Sequence, residues 1–301
     1  MFPVKVENLS YTYGTRQALV DVTFSISQGE VFGFLGPNGS GKTTLFKILS
    51  TLIPGAQAAV NILGYELGSE VQHVRQYLGV VFQRPSLDLK LTVAENLRHH
   101  GHLYGLWGKT LKQRIQETLD QFELTARAHE HVEILSGGLQ RRAELAKAIL
   151  HKPKLLLLDE PSTGLDPGAR RSFRSYLAGL QETTVVLTTH ILDDAEACNR
   201  VGILNAGKLV AIGTPDELKR QVSGDIVIVD SPVPEQLASK ISQKFGYAAA
   251  SIEGLLRIEC HNGHEFVRDV VAAFPTEIRS VRFGKPTLED VFIKLTGQHF
   301  N

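Results

Sequence analysis

Residues 36–44 combine glycines, a lysine and two threonines at a spacing that binds phosphate. They read Gly36-Pro37-Asn38-Gly39-Ser40-Gly41-Lys42-Thr43-Thr44 and fit the pattern G-x-x-x-x-G-K-[ST]. The glycines let backbone N–H groups converge on phosphate oxygens, and a helix that begins here adds partial positive charge. Lys42 supplies a full charge for the outer phosphates, and the Thr43 hydroxyl can ligate Mg²⁺. A glycine-rich turn that binds nothing would not explain why glycine, lysine and hydroxyl fall in register.

An apolar segment further along the chain ends in two adjacent carboxylates. It reads Leu155-Leu156-Leu157-Leu158-Asp159-Glu160-Pro161 and has the composition of a buried strand. At the end of such a strand Asp159 would hold Mg²⁺ through water, and Glu160 would act as general base on an attacking water. Two solvated acids are the alternative. A fully apolar strand leading into them, in a chain with a phosphate loop, argues against it.

A second helix start with anion-binding character follows Leu135. Ser136 can cap the helix, and Gly137 and Gly138 expose backbone N–H groups. One nucleotide does not need two such sites from one chain, whereas a dimer does if each chain covers its partner's nucleotide. Taken alone, the segment is better explained as an ordinary serine-capped helix.

The elements that must position these residues follow an alternating pattern. Up to about Val222, strands and helices alternate as in an α/β domain around a largely parallel sheet. Residues 85–136 are predicted to form a helical insert in this domain, residues 1–222. Residues 223–301 follow a β-α-β-β-α-β order typical of a small ferredoxin-like α+β domain. The predicted buried strands are Val31–Leu35, Leu78–Phe82, Leu155–Asp159, Thr184–Thr188 and Val201–Leu204, and the predicted insert helices are Val93–Tyr104 and Leu111–Phe122.

Composition narrows the class of protein. The chain has 301 residues, of which 43% are hydrophobic and 21% charged, and its net charge is zero. A global basic surface for nucleic acid is therefore not expected. Two distant cysteines, Cys198 and Cys260, favour a reduced compartment. The N-terminus lacks a signal-peptide pattern, and apolar runs such as Leu155–Leu158 are too short to span a bilayer.

The motifs, taken together and in order, resemble the nucleotide-binding subunits of ATP-binding-cassette (ABC) transporters over residues 4 to about 222. Residues 36–44 resemble the Walker A loop, 155–160 Walker B, 136–139 the LSGGQ signature and 163–166 the D-loop. The resemblance implies ATP and Mg²⁺ as cofactors. It implies catalytic roles for Glu160, Gln83 and the switch histidine His190, and Mg²⁺ ligation by Thr43, Gln83 and Asp159. The residues it implies in ATP binding are Tyr13, Gly36, Asn38, Gly39, Ser40, Gly41, Lys42, Thr43, Thr44, Ser136, Gly137, Gly138 and Asp166.

Two of these implied features leave alternatives open. Tyr13 is placed like the aromatic residue that stacks on adenine, but core packing would also explain it. Leu139 stands where the general signature has glutamine, and Leu139-Gln140-Arg141-Arg142 fits the ABC-2 export subfamily better. The tail Pro286–Gly297 also resembles that subfamily. Arg141 and Arg142 could contact nucleotide in a partner or only line the helix surface.

The expected protein is therefore a cytoplasmic ATPase subunit on the inner face of the cell membrane. ATP would drive its dimerisation, as a homodimer, and so power a separate transmembrane permease of an ABC-2 exporter, with no nucleic acid involved. Pro85, Leu87 and Leu89 are candidates for the groove that accepts the permease, and the apolar stripe of the Thr287–Leu295 helix is expected to dock on a cassette. The alternatives are an importer ATPase and a soluble ABC-family ATPase that acts on ribosomes or DNA.

Overall fold

A computed structural model describes residues 2–54, 59–180, 182–252, 254–298 and 300. The chain divides into two compact units, Met1–Ile212 and Gly213–Asn301. The sequence placed this boundary at 222/223. The structure places it ten residues earlier because the helix Pro215–Lys219, with Leu218 fully buried, lies against the last helix of the chain. No helix within the described residues is both long and apolar enough to cross a membrane.

The first unit is built from ten strands and seven helices in its described residues. Its strands are β1 (Val4–Tyr13), β2 (Arg16–Ile26), β3 (Val31–Leu35), β4 (Ala59–Ile62), β5 (Tyr65–Glu66), β6 (Leu78–Val81), β7 (Leu155–Asp159), β8 (Thr184–Thr189), β9 (Arg200–Asn205) and β10 (Lys208–Gly213). Its helices are α1 (Lys42–Leu49), α2 (Val71–Arg75), α3 (Val93–Leu103), α4 (Gly108–Gln121), α5 (Gly137–Ile149), α6 (Pro167–Ala178) and α7 (Leu192–Glu196).

The larger sheet has the strand order β10-β9-β3-β8-β7-β6. The pairs β9–β3, β3–β8, β8–β7 and β7–β6 are all parallel. Strands β7 and β8 are buried at every position, as the continuous apolar runs predicted, because a parallel sheet is covered on both faces. The predicted mostly parallel core is therefore confirmed.

The smaller sheet has the order β2-β1-β4-β5, and the pairs β1–β2, β1–β4 and β4–β5 are antiparallel. Apolar side chains of this sheet, of the larger sheet and of α1 form one buried cluster. Helix α1 starts at Lys42 and buries Leu45, Phe46 and Ile48 in that cluster. The phosphate loop is thus anchored at both ends, by β3 and by α1.

The predicted insert helices are present with shifted ends. Helix α3 begins at the predicted Val93, where Thr92 and Glu95 form a capping box, and ends one residue before Tyr104. Helix α4 begins at Gly108, three residues before the predicted Leu111. Two short 3₁₀ turns, Thr125–Arg127 and Val132–Ile134, lead into α5.

The second unit has the predicted ferredoxin-like order. Its elements are α8 (Pro215–Lys219), β11 (Asp225–Asp230), α9 (Pro234–Phe245), β12 (Ala249–Ile252), β13 (Leu255–Cys260), α10 (Gly263–Ala273), β14 (Ser280–Gly284) and α11 (Leu288–Thr296). The sheet order is β12-β13-β11-β14, and every pair is antiparallel. Apolar residues of α9 and α10 form a core with β11 and β13.

The C-terminal helix was expected to dock its apolar stripe on a cassette, predicted as residues 1–222. It contacts α8, which lies within those predicted bounds and belongs to the second unit of the structure. Asp290 and Lys294 pair with Arg257 and Glu259 of β13. Leu288, Val291 and Phe292 are fully buried.

Candidate active site

The carboxyl ends of four parallel strands bring the candidate residues together. In the ladder, Leu35 of β3 is level with Thr189 of β8, Thr188 with Asp159 of β7, and Leu158 with Val81 of β6. The chain leaves each strand at the same edge of the sheet. The four predicted segments that follow these strands, the phosphate loop, Glu160, His190 and Gln83, therefore share one edge, which is where open α/β sheets bind ligands.

The phosphate loop curls around the ammonium group of Lys42. Its Nζ donates hydrogen bonds to the carbonyl oxygens of Gly36 (2.7 Å) and Pro37 (3.0 Å), and only 4% of the side chain is exposed. Gly41 has φ +107°, and a Cβ on it would lie 2.7 Å from the Ala18 carbonyl oxygen. Glycine is thus required at this position both for its backbone conformation and for the close approach of Ala18.

Glu160 is the centre of the site. Its Oε2 accepts a hydrogen bond from Nε2 of Gln83 (3.1 Å), and its Oε1 lies 4.0 Å from Nζ of Lys42. Nδ1 of His190 lies 3.1 Å from the same Oε1, though without hydrogen-bond alignment to any described residue. The backbone φ of Glu160 is +44°, an uncommon value for a residue with a side chain. Such strained positions are concentrated at functional sites.

Asp159 lies deeper than Glu160. Its Oδ1 accepts a hydrogen bond from Oγ1 of Thr188 (2.5 Å), and the same hydroxyl accepts one from the Glu160 amide (3.1 Å). Burial raises the pKa of Asp159 above its ordinary value, while the Thr188 bond and the Lys42 charge oppose that rise. Burial likewise lowers the pKa of Lys42, against the charges of Glu160 and Asp159. The site holds one lysine opposite two carboxylates, all largely shielded from water.

A cleft of about 580 Å³ opens over the phosphate loop. Tyr13, at the end of β1, borders it with 43% of its surface exposed, while its ring meets Tyr11 edge-on at 4.9 Å. The exposed face favours a binding role over core packing. The residues that line the cleft are Tyr13, Arg16, Gln17, Ala18, Asn38, Gly39, Gly41, Lys42, Thr43, Thr44, Glu160, Ala206 and Gly207. Gly36 and Ser40 are not among these lining residues; Ser40 is buried, and its Oγ is unpaired among the described residues.

The second anion-binding segment does not line this cleft. Ser136 caps α5 by accepting a 3.4 Å hydrogen bond from the Leu139 amide, and both Ser136 and Gly137 are exposed. Gly138 instead borders a separate cavity of about 270 Å³ with Leu165 and Ala169. Asp166 caps α6 through the amides of Gly168 and Ala169, and these bonds lower its pKa. The two groups of predicted ATP-binding residues are therefore apart within one chain.

Several residues of the site were not identified from the sequence, and Ala18, Ala206 and Gly207 are among them. Arg16 and Gln17 line the cleft from β2, and Thr188 bonds both carboxylate-bearing residues. The strand Thr184–Thr188 was identified, and a hydroxyl at its carboxyl end was the available signal for Thr188. Nothing in the local pattern of β2 indicates that its start faces the phosphate loop.

Two histidines outside the cleft, His100 and His151, are packed against other aromatic rings. His100 packs against Tyr104 and His151 with ring centroids 4.9 Å and 5.7 Å away. Burial lowers the pKa of His100 to about 3 and that of His151 to about 4. Among the described residues no group of histidine, cysteine and acidic side chains is arranged to hold a metal ion.

Comparison with known proteins agrees with the geometry. The sequence profile of the ABC transporter family matches residues 19–163. The chain is 34% identical to the linearmycin resistance ATP-binding protein LnrL of Bacillus subtilis (strain 168), over 98% of each chain. It is 35% identical to the Nod factor export ATP-binding protein I of Rhizobium johnstonii, over 98% of this chain and 96% of that one.

A solved structure shows the same cassette. The dimeric post-hydrolysis state of the ATP-binding cassette MJ0796, bound to ADP and Pi, superposes with a TM-score of 0.64 at 29% identity. The match covers 70% of this chain and 98% of that one. With relatives that match its whole length and a phosphate loop facing a strand-end carboxylate pair, this chain belongs to the ABC transporter family, as one of its ATP-hydrolysing subunits.

Proposed function

We propose that this ATPase powers an ABC-2 type exporter by closing and opening a dimer around ATP. One observation carries the hydrolytic part: Glu160 is held at φ +44° between Gln83, His190 and Lys42, at the mouth of the phosphate loop. The exporter part is supported by relatives, matched along nearly the whole chain, whose names describe linearmycin resistance and Nod factor export.

The roles follow from the chemistry of each group. The loop amides and Lys42 bind the phosphates, and Tyr13 stacks on the base. Glu160 takes a proton from the attacking water, which Gln83 and His190 orient. Hydrolysis then needs no covalent intermediate, because the residues position the reactants and stabilise charge.

Mg²⁺ is part of the proposal. The hydroxyl of Thr43, the carboxylate of buried Asp159 and the side-chain carbonyl of Gln83 are hard oxygen donors, which is the set that Mg²⁺ prefers. These residues therefore fit the ion. When bound, it would neutralise phosphate charge.

A dimer explains why the signature residues lie outside the cleft of their own chain. Ser136, Gly137 and Gly138 present an exposed, capped helix start, and Asp166 caps the next helix. In a dimer, the nucleotide bound by a second chain would face the exposed N-terminus of α5, a helix of thirteen residues. The dimeric state of the related cassette MJ0796 supports this arrangement.

The membrane partner is proposed as a separate permease chain, which would place this subunit on the cytoplasmic face. The segment after Gln83 is the proposed contact. Leu89 is 47% exposed and Pro85 is exposed, whereas Leu87 is buried and is removed from the predicted groove. An exposed leucine so close to the catalytic glutamine suits a surface that transmits closure to a partner.

The Glu160→Gln variant tests the hydrolytic role. It keeps the side-chain shape and removes the base, so the rate of ATP hydrolysis should fall by about 10²–10⁴-fold while ATP stays bound. The measurement is single-turnover hydrolysis alongside equilibrium nucleotide binding by the full chain. A near-normal rate would refute the assignment of Glu160.

The Gly138→Asp variant tests the shared site. A Cβ at Gly138 meets only Ala169, at 3.6 Å, so the fold should tolerate the change. In a Glu160→Gln background, light scattering should show that ATP no longer drives dimerisation, while ATP binding by the monomer persists. Gly284→Asp, with open space around a Cβ and no positive φ in the second unit, is the control. Undiminished dimerisation of the Gly138 variant would argue against the shared site.

A further inference from the structure

Arg141 lies on α5, the helix that begins with the signature residues. Its side chain donates four hydrogen bonds within its own chain. Its Nε donates to the carbonyl oxygen of Pro161 (2.8 Å), and its Nη1 donates to that of Phe82 (2.8 Å). Its Nη2 donates to the carbonyl oxygen of Asp159 (3.3 Å). Nη1 also donates to Oε2 of Glu144 (2.7 Å). Only 11% of the Arg141 side chain is exposed, so it is an internal group and not a surface one.

The three carbonyl groups have one property in common: each belongs to a residue next to a proposed catalytic side chain. Phe82 immediately precedes Gln83, while Asp159 and Pro161 flank Glu160. The guanidinium therefore fixes the backbone on both sides of Glu160, whose φ is +44°. It also fixes the backbone just before Gln83, whose side chain hydrogen-bonds Glu160.

Arg141 also links this backbone to the segment that follows Gln83. Its partner Glu144, almost fully buried, accepts a 2.6 Å hydrogen bond from the Ser86 amide. Lys147, one turn further along α5, donates to the carbonyl and hydroxyl oxygens of Ser86 at 2.7 Å each. One face of α5 thus holds both the catalytic strand ends and the proposed permease-contact segment.

We propose that Arg141 is a positioning residue for hydrolysis. It acts on Glu160 directly through the flanking backbone and indirectly through Gln83, which hydrogen-bonds Glu160. This inference rests on the proposed function, since it assumes that Glu160 is the base. A guanidinium is suited to the task because its planar fork reaches several acceptors in fixed directions. A lysine carries the same charge but cannot span three carbonyl groups from one point.

The consequence is a coupling between α5 and the base. Any displacement of α5, whose N-terminus carries the signature residues, is transmitted by the guanidinium to the Phe82, Asp159 and Pro161 carbonyl groups. The phosphate loop receives no hydrogen bond from Arg141 among the described residues. Binding of ATP should therefore be separable from the rate of its hydrolysis.

The test uses the full chain with Arg141→Lys, which keeps Glu144 paired with a cation. The maximal hydrolysis rate should fall about 10-fold to 100-fold, the scale of an ångström-sized misplacement, while affinity for a fluorescent ATP analogue stays within about twofold. Glu144→Gln leaves all three carbonyl bonds possible and should lower the rate less. Arg257→Lys, which alters an equally buried arginine–aspartate pair in the second unit, is the control and should leave the rate unchanged.

A double variant separates positioning from general damage. If Arg141 acts through Glu160, then Arg141→Lys combined with Glu160→Gln should hydrolyse ATP no more slowly than Glu160→Gln alone, because the base is already lost. A purely structural role would lower both rates by the same factor. A multiplicative loss, an equal loss of ATP affinity, or an unchanged rate in Arg141→Lys would each overturn the inference. A near-normal rate in Glu160→Gln alone would instead refute the proposed base, and this inference with it.

Discussion

Thr188→Val is the most informative small perturbation of the site, because one hydroxyl serves both carboxylate-bearing residues. It donates to Oδ1 of Asp159 at 2.5 Å and accepts from the Glu160 amide at 3.1 Å. Valine has nearly the same shape, so the change removes hydrogen bonds without opening a large cavity. The fully buried position of Thr188, at 1% exposure, prevents water from replacing them.

The size of the effect follows from counting the bonds that are lost. The Glu160 amide keeps a second acceptor, the Thr188 carbonyl oxygen at 3.1 Å, so losing its bond to the hydroxyl costs little stability. The bond to Asp159 involves a charged group and is worth about 1.5–3 kcal/mol. The free energy of unfolding should therefore fall by about 2 kcal/mol, measured by urea denaturation without nucleotide or Mg²⁺.

The effect should also depend on pH, with a defined sign. Burial raises the pKa of Asp159, so the native state binds this proton more tightly than the unfolded state, and the contribution of Asp159 to stability falls as pH rises through its native pKa. The Thr188 bond opposes the rise. Removing it raises the pKa further, so the loss of stability should be larger at about pH 8 than at about pH 4.5.

Thr184→Val on the same strand is the matched control. Its equally buried hydroxyl accepts a neutral 3.0 Å bond from the Gly29 amide, so its replacement should cost about 1 kcal/mol at either pH. The assignment of an ionised Asp159 stabilised by this hydroxyl would be refuted if Thr188→Val lowered the free energy of unfolding less than this control does. It would also be refuted if Thr188→Val lowered that free energy more at acid pH than at about pH 8.

Three further outcomes are expected. Lys42→Ala should weaken binding of a fluorescent ATP analogue by about 10-fold to 100-fold, since charge-assisted hydrogen bonds are lost, whereas Lys47→Ala on the exposed side of α1 should not; equal affinities would mean that the loop is not the phosphate site. His100→Phe should make the free energy of unfolding less sensitive to acid, because burial holds the pKa of the native histidine near 3 and protonation therefore favours the unfolded chain. The dependence of that free energy on pH should weaken by at most about 1.4 kcal/mol per pH unit between about pH 6.5 and 4. An unchanged pH dependence in urea titrations would contradict this. Phe292→Ala should destabilise the second unit by about 3–5 kcal/mol in calorimetry while ATP affinity is kept, and a loss of affinity in the folded variant would place α11 in the active site.

Much of this protein is determined by local sequence. The phosphate loop can be recognised because glycine, lysine and threonine are each needed for a separate chemical reason at fixed offsets. Strand β7 was predictable because four consecutive leucines suit a strand covered on both faces, and β8 because valine and threonine are β-branched and favour strands. The β-α-β-β-α-β unit was predictable because each strand and helix has its own local pattern, although β11 pairs with the distant β13 and β14. Helix ends shifted by only a few residues where caps such as Thr92 fix them.

The catalytic cluster depends instead on tertiary structure. Gln83 and Glu160 are 77 residues apart, and their side chains meet only because β6 and β7 pair in one parallel register. No local sequence pattern sets that register, which depends on how all six strands assemble into the sheet. The burial of Leu87 was missed, and α8 was not identified as the partner of α11, for the same reason: an amphipathic stripe shows that a side chain must be covered, but not by what.

Arg141 shows the division most clearly. In the sequence it was one of two arginines, free to contact a partner's nucleotide or to line a surface, and its residue type suited both. The structure directs it inward because α5 passes close enough to the ends of β6 and β7 for the guanidinium to donate to backbone carbonyl groups there. Sequence thus determined which groups could do chemistry. Tertiary structure decided which of them meet, because hydrogen bonds such as those of Arg141 form between residues that only the folded chain brings within reach.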